Sequence, residues 1–140
     1  MHQDQASKLK ISLENNVDAI NNSVGVVEYK MHGEFISANE KYLRIAGITI
    51  GQFTGKLQSM FMMKERVNSN EFQSLWSDLG KGKTRSIINQ YFFDENERWL
   101  YEIYTPVKNE KGEYYKVITF AHDITDLSSI LNKYSLMQSN

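Results

Sequence analysis

The segment that most restricts what this chain can fold into lies near its C-terminal end. Residues 98–107 read Arg-Trp-Leu-Tyr-Glu-Ile-Tyr-Thr-Pro-Val, a polar stretch follows at 108–112, and a second run continues from 113 to 121. Both runs are dense in aromatic and β-branched residues, and the joining stretch ends in Gly112, which predicts a β-hairpin. After His122-Asp123-Ile124-Thr125 the period changes, with Ile124, Leu127, Leu131 and Tyr134 recurring at helical spacing. A strand is therefore expected to run straight into an exit helix that occupies 126–140. That junction is where a state of the sheet can be handed onward.

The chain ahead of the hairpin supplies the rest of a sheet and a group of short helices. Strands are predicted at 24–30 and 34–38, turned by Met31-His32-Gly33, and at 84–93, closed by Asp94-Glu95-Asn96. Between them, Asn39 stands as N-cap ahead of a short amphipathic helix ended by Gly47. Residues 48–69 show little period. Their Leu57-Gln58-Ser59-Met60-Phe61-Met62-Met63 cluster is soft and polarizable, suited either to a pocket wall that includes Met60 or to gap-filling core. A helix over 70–79 places Phe72, Leu75, Trp76 and Leu79 on one face. Gly80-Lys81-Gly82 then stops it; the spacing is too short for a phosphate loop and a strand follows instead of a helix. Consecutive hairpin connections make the sheet antiparallel and the fold class α+β.

At the other end, residues 1–8 are polar and expected to fray, and Leu9, Leu13, Val17 and Ile20 form a narrow helical stripe within 1–22. That stripe suits a coiled-coil seam between two copies or a helix laid on its own sheet. The apolar fraction of 41% supports one core, and a net charge of −1 argues against a nucleic-acid partner. The absence of cysteine excludes disulfides, thiolate metal sites and a thiol nucleophile. With no apolar run near ~18 residues, no direct membrane contact is expected, and the expected location is the cytoplasm, including as part of a membrane-anchored receptor.

Several landmarks fall in one order: a Gly turn between two short strands, Ala38-Asn39, Gly47, Gly55-Lys56, Leu75-Trp76 with Leu79-Gly80, Trp99-Leu100 with Pro106, Asn109 with Gly112, and Asp123-Ile124-Thr125. Together they resemble a PAS domain with its PAC segment, most like those of chemotaxis receptors and histidine sensor kinases, over 23–125. The resemblance implies a five-stranded antiparallel sheet cupped around short helices, with helical extensions at both ends. It also implies flanking helices that dimerise, no catalysis, and a sensory role relayed to an effector domain of the same chain. A ligand-free dimerisation spacer is the alternative. An enzyme is not expected, since no nucleophile–base pair, carboxylate pair or metal-ligand spacing is present.

If Leu100 faces the cup, as the corresponding residue does in flavin-holding relatives, alternation along the strands carries Glu102 and Tyr104 inward with it. The same rule turns Val117, Thr119 and Ala121 inward on the last strand. On the strand before the hairpin, Ile88-Asn89 resembles the segment in which such relatives use an Asn amide on the isoalloxazine edge, which implies that Asn89 faces the cup with Ile87 and Tyr91. Trp99, Tyr101, Ile103, Ile118, Phe120 and His122 then face outward and leave an apolar surface to be covered. Candidate cup residues are thus Met60, Trp76, Ile87, Asn89, Tyr91, Leu100, Glu102, Tyr104, Thr119 and Ala121. The resemblance implies that a non-covalent flavin would use Asn89, Tyr91, Trp76 and Glu102. Covalent adduct chemistry is excluded by the missing cysteine, and no histidine is placed for haem; no bound cofactor is the leading expectation. Glu102 is the least expected of the inward residues. It serves as a polar anchor or pH-sensitive group, or it is satisfied by a Lys or Arg, by backbone amides or by water. Asp123 and Thr125 are expected to cap the outgoing helix and to act as the relay.

Overall fold

The structure, a computed structural model, describes residues 2–127, with the side chains of 2–4, 17 and 20–23 outside that description. A first helix, α1 (His2–Ser23), leads into β1 (Gly25–Lys30) and β2 (Phe35–Ala38). Three short helices follow, α2 (Glu40–Ala46), α3 (Ile50–Phe53) and α4 (Lys64–Val67), with a 3-10 turn at Gln58–Phe61 ahead of the last. The longer α5 (Asn70–Gly80) precedes β3 (Arg85–Phe93), β4 (Asn96–Lys108) and β5 (Tyr114–Asp123). The strands form one antiparallel sheet in the order β2-β1-β5-β4-β3. The first strand therefore lies beside the last, and the short helices between β2 and β3 cover one face.

Local chemistry explains the helix positions. Asn39 caps α2 by accepting from the Tyr42 amide at 2.9 Å, and it also ties that start to β1. Its Oδ1 accepts from the Val26 amide and its Nδ2 donates to the Val24 carbonyl, each at 3.0 Å. Gly47 closes the helix at a φ of 72°, in the left-handed region that glycine occupies without penalty. Thr49 and Gln52 form a capping box on α3, and Ser69 caps α5. Helices α2, α3 and α5 turn their apolar sides to the sheet: Tyr42, Ile45 and Ala46 from α2, Phe53 from α3, and Phe72, Leu75 and Leu79 from α5 are buried. They meet Val27, Tyr29, Ile87, Tyr91, Phe93, Leu100, Tyr104, Val117 and Ala121 from the strands in one core.

Five expectations need correction or limits. The N-terminal helix begins at His2 and not near Leu9, because the polar residues ahead of Leu9 include Gln, Ala and Lys, good helix formers. Leu9 and Leu13 are 62% and 56% exposed, so at these turns the helix does not lie on its own sheet; the side chains of Val17 and Ile20 are outside the described residues. Met60 is 64% exposed and not a cup residue. A 3-10 turn has about three residues per turn; it sends Gln58 inward with Phe61 partly buried beneath it, and leaves Met60 outside. Trp99 faces outward as expected, but it is covered, at 4% exposed against 36% for Tyr101. Of the exit helix over 126–140, only a 3-10 turn at Thr125–Leu127 lies within the described residues; Leu131 and Tyr134 do not.

Candidate functional site

Strand alternation puts Asn89 and Tyr91 of β3, Glu102 and Tyr104 of β4, and Thr119 of β5 on the helix-covered face, all with 0% exposure. Register brings them together. Glu102 pairs with Ala121, Tyr104 with Thr119, and Asn89 with Leu100, so Asn89 sits diagonally from Glu102 across the β3–β4 pair. Glu102 is the hub: its Oε1 accepts from the Tyr91 hydroxyl at 2.6 Å, the Tyr104 hydroxyl at 2.9 Å and the Asn89 amide at 3.0 Å.

A second polar group locks the same hydroxyls from the helix side. Gln58, 1% exposed, donates from Nε2 to both Tyr91 and Tyr104 at 2.7 Å, and its Oε1 accepts from the Trp76 indole at 3.0 Å. Every hydrogen on the Gln58 amide is used. A third connection runs outward. Arg66 of α4 donates from Nε and Nη2 to Asn89 Oδ1 at 3.2 and 3.1 Å, and from Nη2 to the Ile88 carbonyl at 3.1 Å. The same guanidinium is ion-paired with Glu71 at the start of α5. The path Glu71–Arg66–Asn89–Glu102 therefore leads from a half-exposed carboxylate to a fully buried one.

Burial is the largest influence on Glu102 and raises its pKa from 4.5 to about 7; the hydrogen bonds from Tyr91, Asn89 and Tyr104 and the charge of Arg66 pull the other way. Burial likewise pushes the hydroxyls of Tyr29, Tyr42, Tyr91 and Tyr104 well above their ordinary value, so they are neutral donors. Among the described residues no ion pair reaches Glu102. The carboxylate is therefore satisfied by neutral side chains on one oxygen, not by the Lys, Arg or backbone amides considered from the sequence. Its other oxygen, Oε2, has no hydrogen-bond partner, nor has Thr119 Oγ1, while the Tyr29 hydroxyl interacts with those of Tyr42 and Tyr91.

The candidate residues divide accordingly. Asn89, Tyr91, Glu102 and Tyr104 meet in one polar knot, with Trp76 joined through Gln58. Ile87, Leu100 and Ala121 are buried wall residues beside it, and Met60 is outside. Sequence reasoning missed Gln58, Arg66, Tyr29 and Tyr42. Tyr29 was accessible through alternation with Val27 on β1, and Tyr42 through its spacing to Ile45 and Ala46. Gln58 and Arg66 sit in the segment without period and left no such signal.

At the exit, Asp123 Oδ1 accepts from the Thr125 amide at 3.0 Å and from the Thr125 hydroxyl. Thr125 Oγ1 accepts from the Trp99 amide at 3.0 Å, and the Trp99 carbonyl accepts from the Ile124 amide at 2.9 Å. Both backbone groups of Trp99, three residues from Glu102 on β4, are thus held by the exit segment.

Neither cofactor implied by relatives of this shape fits the side chains present. The Asn89 amide is engaged at both ends by Arg66 and Glu102, and Gln58, Tyr91 and Tyr104 fill the position beside it, leaving no free edge for an isoalloxazine. His32 is an exposed turn residue beside Glu34, and His122 is exposed on the outer face, so neither points into the cup for haem.

A family model described as PAS domain matches residues 23–126. The chain belongs to the PAS-domain family, a family of sensory modules. Its fold agrees: the PAS domain of a protein from Colwellia psychrerythraea superposes with a TM-score of 0.67 at 16% identity, covering 81% of this chain and 98% of that one. An RNA-binding light-oxygen-voltage receptor superposes with a TM-score of 0.70 at 16% identity over 90% of this chain and 36% of that one. Among curated proteins, the biofilm dispersion protein BdlA of Pseudomonas aeruginosa is 24% identical over 115 residues. The match spans 81% of this PAS domain chain and 28% of the length of that relative.

Proposed function

We propose that this PAS domain is a sensing and coupling module of a larger signalling chain, reading the state of its buried cup and passing it through the 123–125 junction to an effector on the C-terminal side. The observation that carries the reading is a connection along one strand. β4 holds Glu102 and Tyr104 in the cup, and the backbone of Trp99, at the start of that strand, is clasped by Ile124 and Thr125. A change in charge or occupancy at Glu102 alters β4 where it is least able to relax, because the knot is hydrogen-bonded from three directions. The clasp ties β4 to the segment that leaves the sheet after β5. The domain itself performs no chemistry, and the effector lies elsewhere in the same polypeptide, in a cytoplasmic setting that includes the cytoplasmic part of an anchored receptor. Similarity to a protein named for biofilm dispersion supports a signalling context of this kind.

Pairing with a second copy is part of this proposal. Leu9 and Leu13, one helical turn apart and more than half exposed, give α1 an apolar stripe of the kind that closes against an identical helix. The test of coupling is Asp123→Ala, which removes the acceptor that holds Thr125. Losing this cap should cost about 1 kcal/mol and speed hydrogen exchange at the Trp99 and Thr125 amides roughly fivefold. Glu102→Gln should change exchange at the same two amides although it lies in the cup. If the cup substitution leaves both amides unchanged, the coupling claim fails.

A further inference from the structure

Ring contacts and hydrogen bonds join a partly exposed indole to the buried carboxylate. Trp76 of α5 lies at the edge of the core. Its ring meets Tyr104 edge-on with 6.1 Å between centres and Tyr29 edge-on at 5.6 Å, and Tyr29 stacks on Tyr104 at 6.2 Å. The Tyr104 hydroxyl in turn donates to Glu102 Oε1 at 2.9 Å. The groups that face Glu102 are neutral: Tyr91 and Asn89 of β3, Tyr104 of β4 and Gln58 of the 3-10 turn, with Tyr29 of β1 and Tyr42 of α2, whose ionisation its charge disfavours. The cation Arg66 of α4 acts on it through charge alone and is itself paired with Glu71 of α5.

The partners dictate where the hydrogens lie. Gln58 gives its amide hydrogens to the Tyr91 and Tyr104 hydroxyls and accepts the Trp76 indole N–H. Each hydroxyl accepts from that side, so its own hydrogen is directed to Glu102. The Asn89 amide also donates to the Tyr104 oxygen, at 3.1 Å. Tyr104 therefore has a carboxylate ready to take its proton, and Gln58 and Asn89 N–H groups ready to hold its oxygen once that proton has gone. The indole has no such base. An amide oxygen holds its N–H hydrogen without removing it.

We infer that Trp76, Tyr104 and Glu102 form a one-electron relay, which converts attack by a small oxidising radical at the surface into a neutral phenoxyl radical on Tyr104. The oxidant, of the class of nitrogen dioxide or the carbonate radical anion, takes one electron from the Trp76 indole and leaves a radical cation. Tyr104 then gives one electron to the indole, restoring it, while its hydroxyl proton moves along the hydrogen bond to Glu102 Oε1. In sum, a phenol and a carboxylate become a phenoxyl and a carboxylic acid, and the oxidant is reduced by one electron. The charge of Glu102 is thereby removed with no change in external pH. As an input signal the relay rests on the reading of the cup as the sensing chamber, and it names what is sensed; as chemistry it stands alone.

The test uses the full chain and ruthenium(III) tris-bipyridine, generated by a light flash with a cobalt(III) ammine as quencher. At pH 8, transient absorption should show an indole radical giving way to a phenoxyl, and electron paramagnetic resonance a tyrosyl signal that chromium oxalate in the solvent does not broaden. With a carboxyl that titrates at about 7, the yield should fall roughly tenfold at pH 6. Glu102→Gln offers no base and should remove that pH dependence along with most of the pH 8 yield. Trp76→Phe should lower the yield of the shielded phenoxyl while the exposed Tyr101 and Tyr115 still oxidise. Tyr104→Phe should leave the indole radical standing in its place. The comparison of pH 8 with pH 6 needs no substitution, so it decides even where a variant fails to fold. A solvent-broadened phenoxyl, equal yields at both pH values, or an unchanged yield in Trp76→Phe overturns the inference. If it falls while Glu102→Gln still alters exchange at Trp99 and Thr125, the sensory reading stands with another input. A shielded phenoxyl without that change in exchange keeps the relay and sinks the coupling.

Discussion

Replacing Glu102 by Gln should make the domain more stable at pH 8 and remove most of its pH dependence above pH 5. The substitution is nearly isosteric. The amide oxygen can still accept from Tyr91, Tyr104 and Asn89, while the group at the Oε2 position, unpartnered in either case, no longer carries charge. The magnitude comes from linkage. A carboxyl raised from 4.5 to about 7 by folding binds more protons in the folded state, so stability falls as pH rises across that window. Each unit is worth about 1.4 kcal/mol, which makes the loss about 3 kcal/mol by pH 8. Below pH 4.5 the contribution vanishes, because both states are protonated. Glu28 and Glu34 act in the opposite sense and in a different range: their hydrogen bonds with Lys116 and Lys30 lower their pKa, so they destabilise only as pH falls below 4.5. Urea unfolding at pH 5, 6, 7 and 8 should show the wild-type curve descending and the variant nearly flat. Parallel curves would refute the claim that this buried carboxyl ionises within the folded domain.

Other perturbations reach the same knot from different sides. Gln58→Leu strips the Trp76 indole of its acceptor and the two tyrosines of their shared donor, and should cost about 1–3 kcal/mol, with a shifted Trp76 indole N–H resonance as the check. Arg66→Met removes the cation whose charge lowers the Glu102 pKa, so the descending limb of the stability curve should extend to higher pH; an unmoved limb would mean that Arg66 is electrostatically irrelevant to the cup. Leu9→Lys together with Leu13→Lys should lower the native mass of any dimer, with sedimentation as the readout, and leave the domain fold unchanged by circular dichroism.

Much of this arrangement was legible in the sequence, for a physical reason. Strand alternation is a strict period of two, so once Leu100 is set inward, Glu102 and Tyr104 follow it, and an inward Asn89 or Ala121 likewise carries Tyr91 or Thr119 with it. The junction at Asp123-Ile124-Thr125 was equally visible, because strand and helix periods meet there. Direction, however, is not partnership. That Glu102 would be held by neutral hydroxyls and not by a cation depends on Gln58 and Arg66, which come from one-turn elements of four residues each. Elements so short carry no readable period, and the misplacement of Met60 has the same origin: three residues per turn, not alternation or a 3.6-residue face, decides what the 58–61 turn buries. Trp99 is a further case. It is 4% exposed on the outward face and its amide is held by Thr125, a tertiary contact that composition on either side does not announce.

The most direct test is an NMR titration of the Glu102 side-chain carboxyl in the isotope-labelled wild-type chain, monitored together with the amides of Trp99 and Thr125. A carboxyl resonance titrating near pH 7, with both amides shifting at the same midpoint, is what a buried charge wired to the exit clasp requires. A carboxyl that titrates near 4.5, or amides that stay fixed while it titrates, would contradict the account.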